Sequence, residues 1–168
     1  MKKITIYTDG GCAPNPGPGG YGVVLGYGKH RKELSSGYRL TTNNRMELMA
    51  AIVALEALKA PCDATLHSDS RYLVEAMNQH WPERWRAKGW RRGDKSPAKN
   101  PDLWERLLAA AARHRVQFVW VPAHTGIADN ERCDELARAA MRHPDLPADA
   151  AYEQSLESDA AGAEANPT

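Results

Sequence analysis

The sequence predicts an α/β protein: one five-stranded mixed sheet, the first three strands antiparallel and the last two parallel, with helices on both faces. Three observations lead there. Apolar residues repeat at strand or helix spacing in the order βββαβα, then a basic insert, then αβα. The connections between the first three strands are short, which suits antiparallel neighbours. The later strands are separated by helical segments, which parallel pairing requires.

Residues 2–9 (KKITIYTD) put Ile4 and Ile6 on one face and Lys3, Thr5 and Tyr7 on the other, a strand pattern that ends where Gly10-Gly11 lets the chain turn. Residues 13–20 (APNPGPGG) read as neither helix nor inner strand, because proline lacks an N–H and glycine is too free. Strands follow near 21–28 and 31–39, with a hairpin at Gly28-Lys29-His30. Residues 44–59 form a helix through Met46, Met49, Val53 and Leu58, stopped by Pro61. Residues 64–68 are a short strand ending at Asp69, and a helix runs from Ser70 to Asn78. Leu103, Trp104, Leu107 and Leu108 mark a helix over 101–114. Residues 116–121 are a strand, 122–129 a loop and 130–141 the last helix. The folded domain is expected over 1–144, with 145–168 an acidic, Ala-rich, disordered tail.

The chain has 168 residues, 42% hydrophobic and 26% charged, which excludes disorder of the whole. Its longest uncharged run, Gly10 to Gly28, holds eight Gly and three Pro and is no membrane helix. No secretory signal is visible in MKKITIYTDGG, and Cys12, Cys62 and Cys133 form no disulfide or zinc pattern; a reducing cytoplasm fits. The net charge of +1 hides an asymmetry. Residues 145–168 carry six acids and no Lys or Arg, which leaves 15 acids against 22 bases in the body, a net of +7. A basic body points to a polyanionic partner.

Carboxylates carry the chemical signal. Asp9 and Asp69 each stand at the C-terminal end of a strand, where ligands bind in open α/β sheets. Asp69 could equally cap the helix behind it. Glu47 has capping-box spacing from Asn44, and Asp134 could pair with Arg138 one helical turn on. Capping and pairing do not account for four acids at one edge of a small sheet. Such a cluster calls for a divalent cation, and hard carboxylate oxygens suit Mg²⁺ or Mn²⁺. His124 lies on a Gly-containing loop after a strand, a place for a surface residue or a proton shuttle. The segment 81–100 sets Trp81, Trp85 and Trp90 among seven bases, with the indoles expected to pack on the body while Arg84, Arg86, Lys88, Arg91, Arg92, Lys95 and Lys99 face phosphates. Gly17-Pro-Gly19-Gly-Tyr-Gly22 fits G-x-G-x-x-G, but a strand pattern follows it where a dinucleotide site needs a helix.

Four strings together resemble one family. Thr8 to Gly22 (TDGGCAPNPGPGGYG), Thr41 to Ile52 (TTNNRMELMAAI), Ser68 to Tyr72 (SDSRY) and Asn130 to Ala137 (NERCDELA) look like the motifs of bacterial type 1 ribonuclease H, in order and in register. The insert is similar to that family's substrate-binding protrusion. The resemblance implies a ribonuclease H-like fold and an endonuclease hydrolysing the RNA strand of RNA–DNA hybrids, whatever their sequence, to 5′-phosphate and 3′-hydroxyl ends. It places the metal-holding carboxylates at Asp9, Glu47, Asp69 and Asp134, with Asp9 bridging two Mg²⁺ roughly 3.5–4 Å apart, and gives His124 a part in proton transfer or product release. It assigns 2′-hydroxyl recognition to Asn15, Asn43 and Asn44 beside the Gly10-Gly11 backbone, a DNA phosphate to Thr42 and Asn100, and a substrate contact to Arg71. Three positions depart from the family's habit: Leu40 (with Arg39 adjacent), Arg71 and Ala123. A monomer with no membrane and no organic cofactor is expected. A noncatalytic hybrid-binding module and a DNA nuclease of the same fold are the alternatives.

Overall fold

The structure, a computed structural model, describes residues 1–165. Strands β1 (Lys2–Cys12), β2 (Gly17–Tyr27) and β3 (His30–Thr41) lead into α1 (Asn43–Glu56) and β4 (Cys62–Ser68). Helices α2 (Arg71–Asn78), α3 (Trp81–Ala87) and α4 (Pro101–Ala112) precede β5 (Arg115–Trp120), and α5 (Ala128–Met141) and α6 (Ala150–Ala165) complete the order. The sheet has five strands in the order β3-β2-β1-β4-β5. β1 pairs antiparallel with β2 and β2 with β3, while β1 pairs parallel with β4 and β4 with β5, as expected.

Missing side chains bring helices close on both faces. A Cβ on Gly10 would overlap the Met46–Glu47 backbone of α1, and a Cβ on Gly22 would overlap the Cys133 carbonyl of α5. Between α1 and the sheet lies the main core, where Ile6, Leu48, Ile52, Leu55, Leu66 and Leu73 are wholly buried. Trp104 and Leu107 of α4 close it. Ion pairs tie β3 to α5: Arg31 to Asp129 at 2.7 Å and Glu33 to Arg132 at 2.8 Å.

Two sequence expectations are corrected. Residues 17–20 do belong to an inner strand, because β2 starts at Gly17 and pairs Gly19 with Cys12 and Gly20 with Gly11. Proline is tolerated there because the β2–β3 register shifts between Gly17 and Gly19, and Pro18 sits in the shift, where the ladder does not need its N–H.

The second correction is larger: the acidic tail is folded over the described residues. α6 occupies Ala150–Ala165, and Asp149 just before it is buried. The cause is Arg45 in the first turn of α1, only 4% exposed. A guanidinium so placed needs anions. Asp149 takes its Nε at 2.7 Å and its Nη2 at 3.0 Å, Asp102 pairs with it from α4 at 2.8 Å, and Thr41 donates its hydroxyl to Asp149 at 2.7 Å. The Pro147 carbonyl accepts the Arg39 N–H at 2.9 Å, and Glu153 clasps the Arg39 side chain. Composition marked the tail as solvated; it could not show the buried cation that receives it.

Asp149→Ala leaves Arg45 with one carboxylate and is expected to lower the unfolding free energy by about 3 kcal/mol. The urea midpoint measures this, and an unchanged midpoint would show that the tail adds nothing to stability.

Candidate active site

The register of β1 on β4 builds the site. Thr8 pairs with Ser68, so Asp9 and Asp69 sit side by side where the parallel ladder stops; β4 ends there, but β1 does not end at Asp9 as the sequence suggests, since Gly10 and Gly11 continue the strand on β2 opposite Tyr21 and Gly20. Glu47 arrives from α1, which the Gly10 contact holds against β1. One carboxylate oxygen from each of Asp9, Glu47 and Asp69 lies within 4.8 Å of the others. The capping alternatives fall away. Thr42 caps α1 through its hydroxyl, leaving Glu47 in the second turn, buried; Ser70, not Asp69, caps α2.

Hydrogen bonds hold the three acids. The Gly10 N–H donates to Asp9 Oδ1 at 2.9 Å and to Glu47 Oε1 at 2.8 Å. Ser68 donates its hydroxyl to Glu47 Oε2 at 3.3 Å. Asn130 Nδ2 donates to Asp69 Oδ2 at 3.2 Å, and Trp120 Nε1 donates to the Asp69 carbonyl at 3.2 Å. Asn130, Ser68 and Trp120 were missed as site residues. Asn130 left one trace in the sequence: it stands four residues before Asp134, on the same helix face.

These donors do not cancel the repulsion. At about 4 Å two unit charges repel by about 4 kcal/mol at an effective dielectric near 20, whereas a hydrogen bond to a charged group contributes roughly 1.5–3 kcal/mol. Without a cation the site keeps protons instead. Burial, with Asp69 nearby, pushes Asp9 up to about 7. Burial, then the Asp9 charge, raises Glu47 well above the carboxylate range. The donor set is all carboxylate oxygen, which fits Mg²⁺ or Mn²⁺.

Asp134 lies outside that trio. It pairs with Arg138 at 3.0 Å yet lines one cleft with Asp9, Gly10 and Gly11. His124 sits exposed on its loop, with a left-handed φ of 56°, and the structure gives it no bond to the acids. Beside the acids, Asn43 Oδ1 accepts the Cys12 N–H at 2.6 Å and Asn15 Oδ1 accepts the Asn43 N–H at 3.1 Å. Asn100, also left-handed, accepts from Arg45 at 3.2 Å. The Arg71 guanidinium stacks 4.1 Å over Trp120.

The insert is two-sided, as its Trp spacing predicts. Trp81, Trp85 and Trp90 pack on the core, with Trp85 edge-on to Trp104 at 5.9 Å. Arg84, Lys88, Arg91, Arg92 and Lys99 line a cleft of about 580 Å³ that reaches Asn44. Arg86 does not join them; it lines a separate groove with Glu83, Leu108 and His114.

The raised Asp9 carries a stability consequence. An unfolded Asp titrates near 4, so between there and 7 the folded, metal-free protein holds the extra proton. Its contribution is complete at lower pH and is lost as pH rises through 7. Asp9→Asn is therefore expected to stabilise the metal-free protein at pH 8 by roughly 1–2 kcal/mol, a few degrees in melting temperature, and to do so less when Mg²⁺ is added. A melting temperature that stays level or drops would contradict the repulsion.

The chain is similar to known proteins along most of its length. The family model described as RNase H matches residues 1–142. The chain is 61% identical over 152 residues to Ribonuclease H of Syntrophus aciditrophicus, covering 90% of this chain and 88% of the relative. It is 56% identical over 146 residues to Ribonuclease H of Klebsiella pneumoniae, covering 87% and 94%. Among solved structures, LC9-RNase H1, a type 1 RNase H with the type 2 active-site motif, superposes with a TM-score of 0.75 at 30% identity, over 84% of this chain and 72% of that one. LC11-RNase H1 in complex with RNA/DNA hybrid gives 0.62 at 29% identity, over 82% and 96%. With the model matched along most of its length and relatives this similar, the chain belongs to the ribonuclease H family.

Proposed function

We propose that this protein is a metal-dependent endoribonuclease that hydrolyses the RNA strand of RNA–DNA hybrids, leaving 5′-phosphate and 3′-hydroxyl ends. One observation carries the reading: a carboxylate trio from β1, α1 and the end of β4, with a cation-lined, Trp-backed cleft that begins at Asn44 and Tyr72, each three residues from one of the acids. The trio is an electrostatic sink for hard divalent ions, and the cleft suits a polyanion. The hybrid bound in the LC11-RNase H1 structure supports that substrate class.

Two Mg²⁺ ions, or Mn²⁺ in their place, would be held by Asp9, Glu47, Asp69 and Asp134 and supply charge for activating water and for the leaving 3′-oxygen. The remaining work falls to the chain's own groups. Gly10 holds Asp9 and Glu47 in place through one N–H, and Asn130 orients Asp69. His124, on an exposed loop, moves a proton or eases product release. Asn15, Asn43 and Asn44 recognise 2′-hydroxyls; Asn43 is fixed by accepting the Cys12 N–H, and Asn15 by accepting the Asn43 N–H. Thr42 and Asn100 receive a DNA phosphate, and the insert holds the DNA strand through backbone contacts that no base sequence alters. Arg71 lies along Trp120, two residues from Asp69, and adds a cation to the substrate path. The protein acts as a monomer in the cytoplasm. No helix among the described residues is long and apolar enough to cross a membrane.

The decisive test is a labelled RNA–DNA hybrid run beside single-stranded RNA, duplex RNA and duplex DNA. Cleavage is expected for the hybrid alone, with Mg²⁺, lost in EDTA and lost in Asp69→Asn at unchanged far-UV dichroism. Normal turnover by Asp69→Asn sinks the metal-site reading; hybrid binding without cleavage favours a binding module. The cleft has its own test. Replacing Arg84, Lys88, Arg91 and Arg92 with Ala is expected to raise KM about tenfold or more and to flatten the salt dependence of binding, while Arg86→Ala changes neither. An equal effect of Arg86→Ala would show that substrate also meets the groove that Arg86 lines.

A further inference from the structure

Near the end of β3, just before the proposed DNA-phosphate residue Thr42, an exposed arginine is already paired. Arg39, three residues before Thr42, offers a two-pronged donor face, and Glu153 of α6 fills it: Nε to Oε2 at 3.0 Å and Nη2 to Oε1 at 2.9 Å. A carboxylate and a backbone phosphate present the same pair of oxygens to a guanidinium. α6 continues past that pair as one wall of a cavity of about 880 Å³. Asn15, Thr42, Lys99 and Asn100 line one side of it, and Ser155 and Asp159 of α6 line the other. No Lys or Arg in residues 145–168 offsets the Asp159 charge.

Two attachments of different strength hold this wall. Asp149 is buried on Arg45 and is a fixed anchor. The Arg39–Glu153 pair is exposed, with the arginine side chain 62% accessible. Exposed pairs of this kind are weak and exchange readily for another anion. The anchor therefore keeps α6 in place while the outer pair opens.

Resting on the hybrid-binding reading above, we propose that α6 sets the affinity for substrate: Glu153 occupies an arginine fork open to a DNA-strand phosphate on β3, and Asp159, farther along the helix, repels phosphate from the cavity that Thr42 and Asn100 line. Substrate and helix compete for one cation. The chemistry at Asp9, Glu47 and Asp69 does not enter, so the effect falls on binding and not on turnover.

The test compares the full-length chain with Glu153→Gln and Asp159→Asn. Binding of a fluorescein-labelled RNA–DNA hybrid is measured by anisotropy in EDTA, and cleavage of the same hybrid by steady-state kinetics in Mg²⁺. Each variant is expected to lower Kd and KM by about two- to fivefold, with kcat unchanged. The gain is largest at low salt and absent for Glu153→Gln when Arg39 is already Ala. Melting temperatures show that the variants remain folded; the anchor at Asp149 is intact in both. Unchanged or weaker binding by folded Glu153→Gln, with wild-type cleavage normal, overturns the competition and leaves α6 a structural helix or a support for substrate. A wild-type protein that neither binds nor cleaves the hybrid overturns the substrate reading itself, and the competition with it.

Discussion

Three carboxylates are held closer than their charges would choose, and the register of two parallel strands does the holding. Thr8 opposite Ser68 leaves Asp9 and Asp69 no way to diverge, because each is the next residue on a strand whose hydrogen bonds are already made. Glu47 is pressed in from above by a helix that rests on a glycine. The strain is electrostatic, and the apolar layer beneath offsets it: Ile6, Leu48, Ile52 and Leu66 bury fully within a few residues of the acids. A less rigid frame would relax by moving the charges apart. This one relaxes by holding protons or a cation.

That frame was largely legible in the sequence, since it rests on short-range signals. The alternation around Ile4 and Ile6, the helical spacing of Met46, Met49 and Val53, and the Asp at each strand end depend only on neighbours along the chain. The site was legible as types and positions, but not as a geometry. Spacing alone left Asp69 and Glu47 balanced between capping and metal binding, and the balance tips only when Thr42 and Ser70 are seen to cap the helices. Asn130 stayed hidden because a buried amide gives no periodic signal. Arg86 falls among the other bases when the insert is read as a charge run; read at helical spacing, Arg84 and Lys88 share a face and Arg86 lies opposite, as in the structure.

The tail marks the limit of composition as evidence. Its acids are rich enough to stay in water, and taken alone they would. What draws the segment down is one guanidinium in the first turn of α1, enclosed by Thr41, Asn100, Asp102 and Asp149. A buried cation creates demand for anions from far along the chain, here 104 residues on. No local window contains both partners. The same arginine ties α1, α4 and the start of α6 to one point, so the helix that carries Glu47 is braced from its N-terminal end.

The insert leaves the α/β layers after α2 and returns at α4, and none of the four acids lies on α2, α3 or α4. Its Trp85 meets Trp104 of α4 edge-on, and Trp81 rests on Trp85. On the proposed reading, grip and cutting are separable modules on one scaffold. In that arrangement a change of bases in the insert alters how long a polyanion stays, and the acids keep their shape and chemistry.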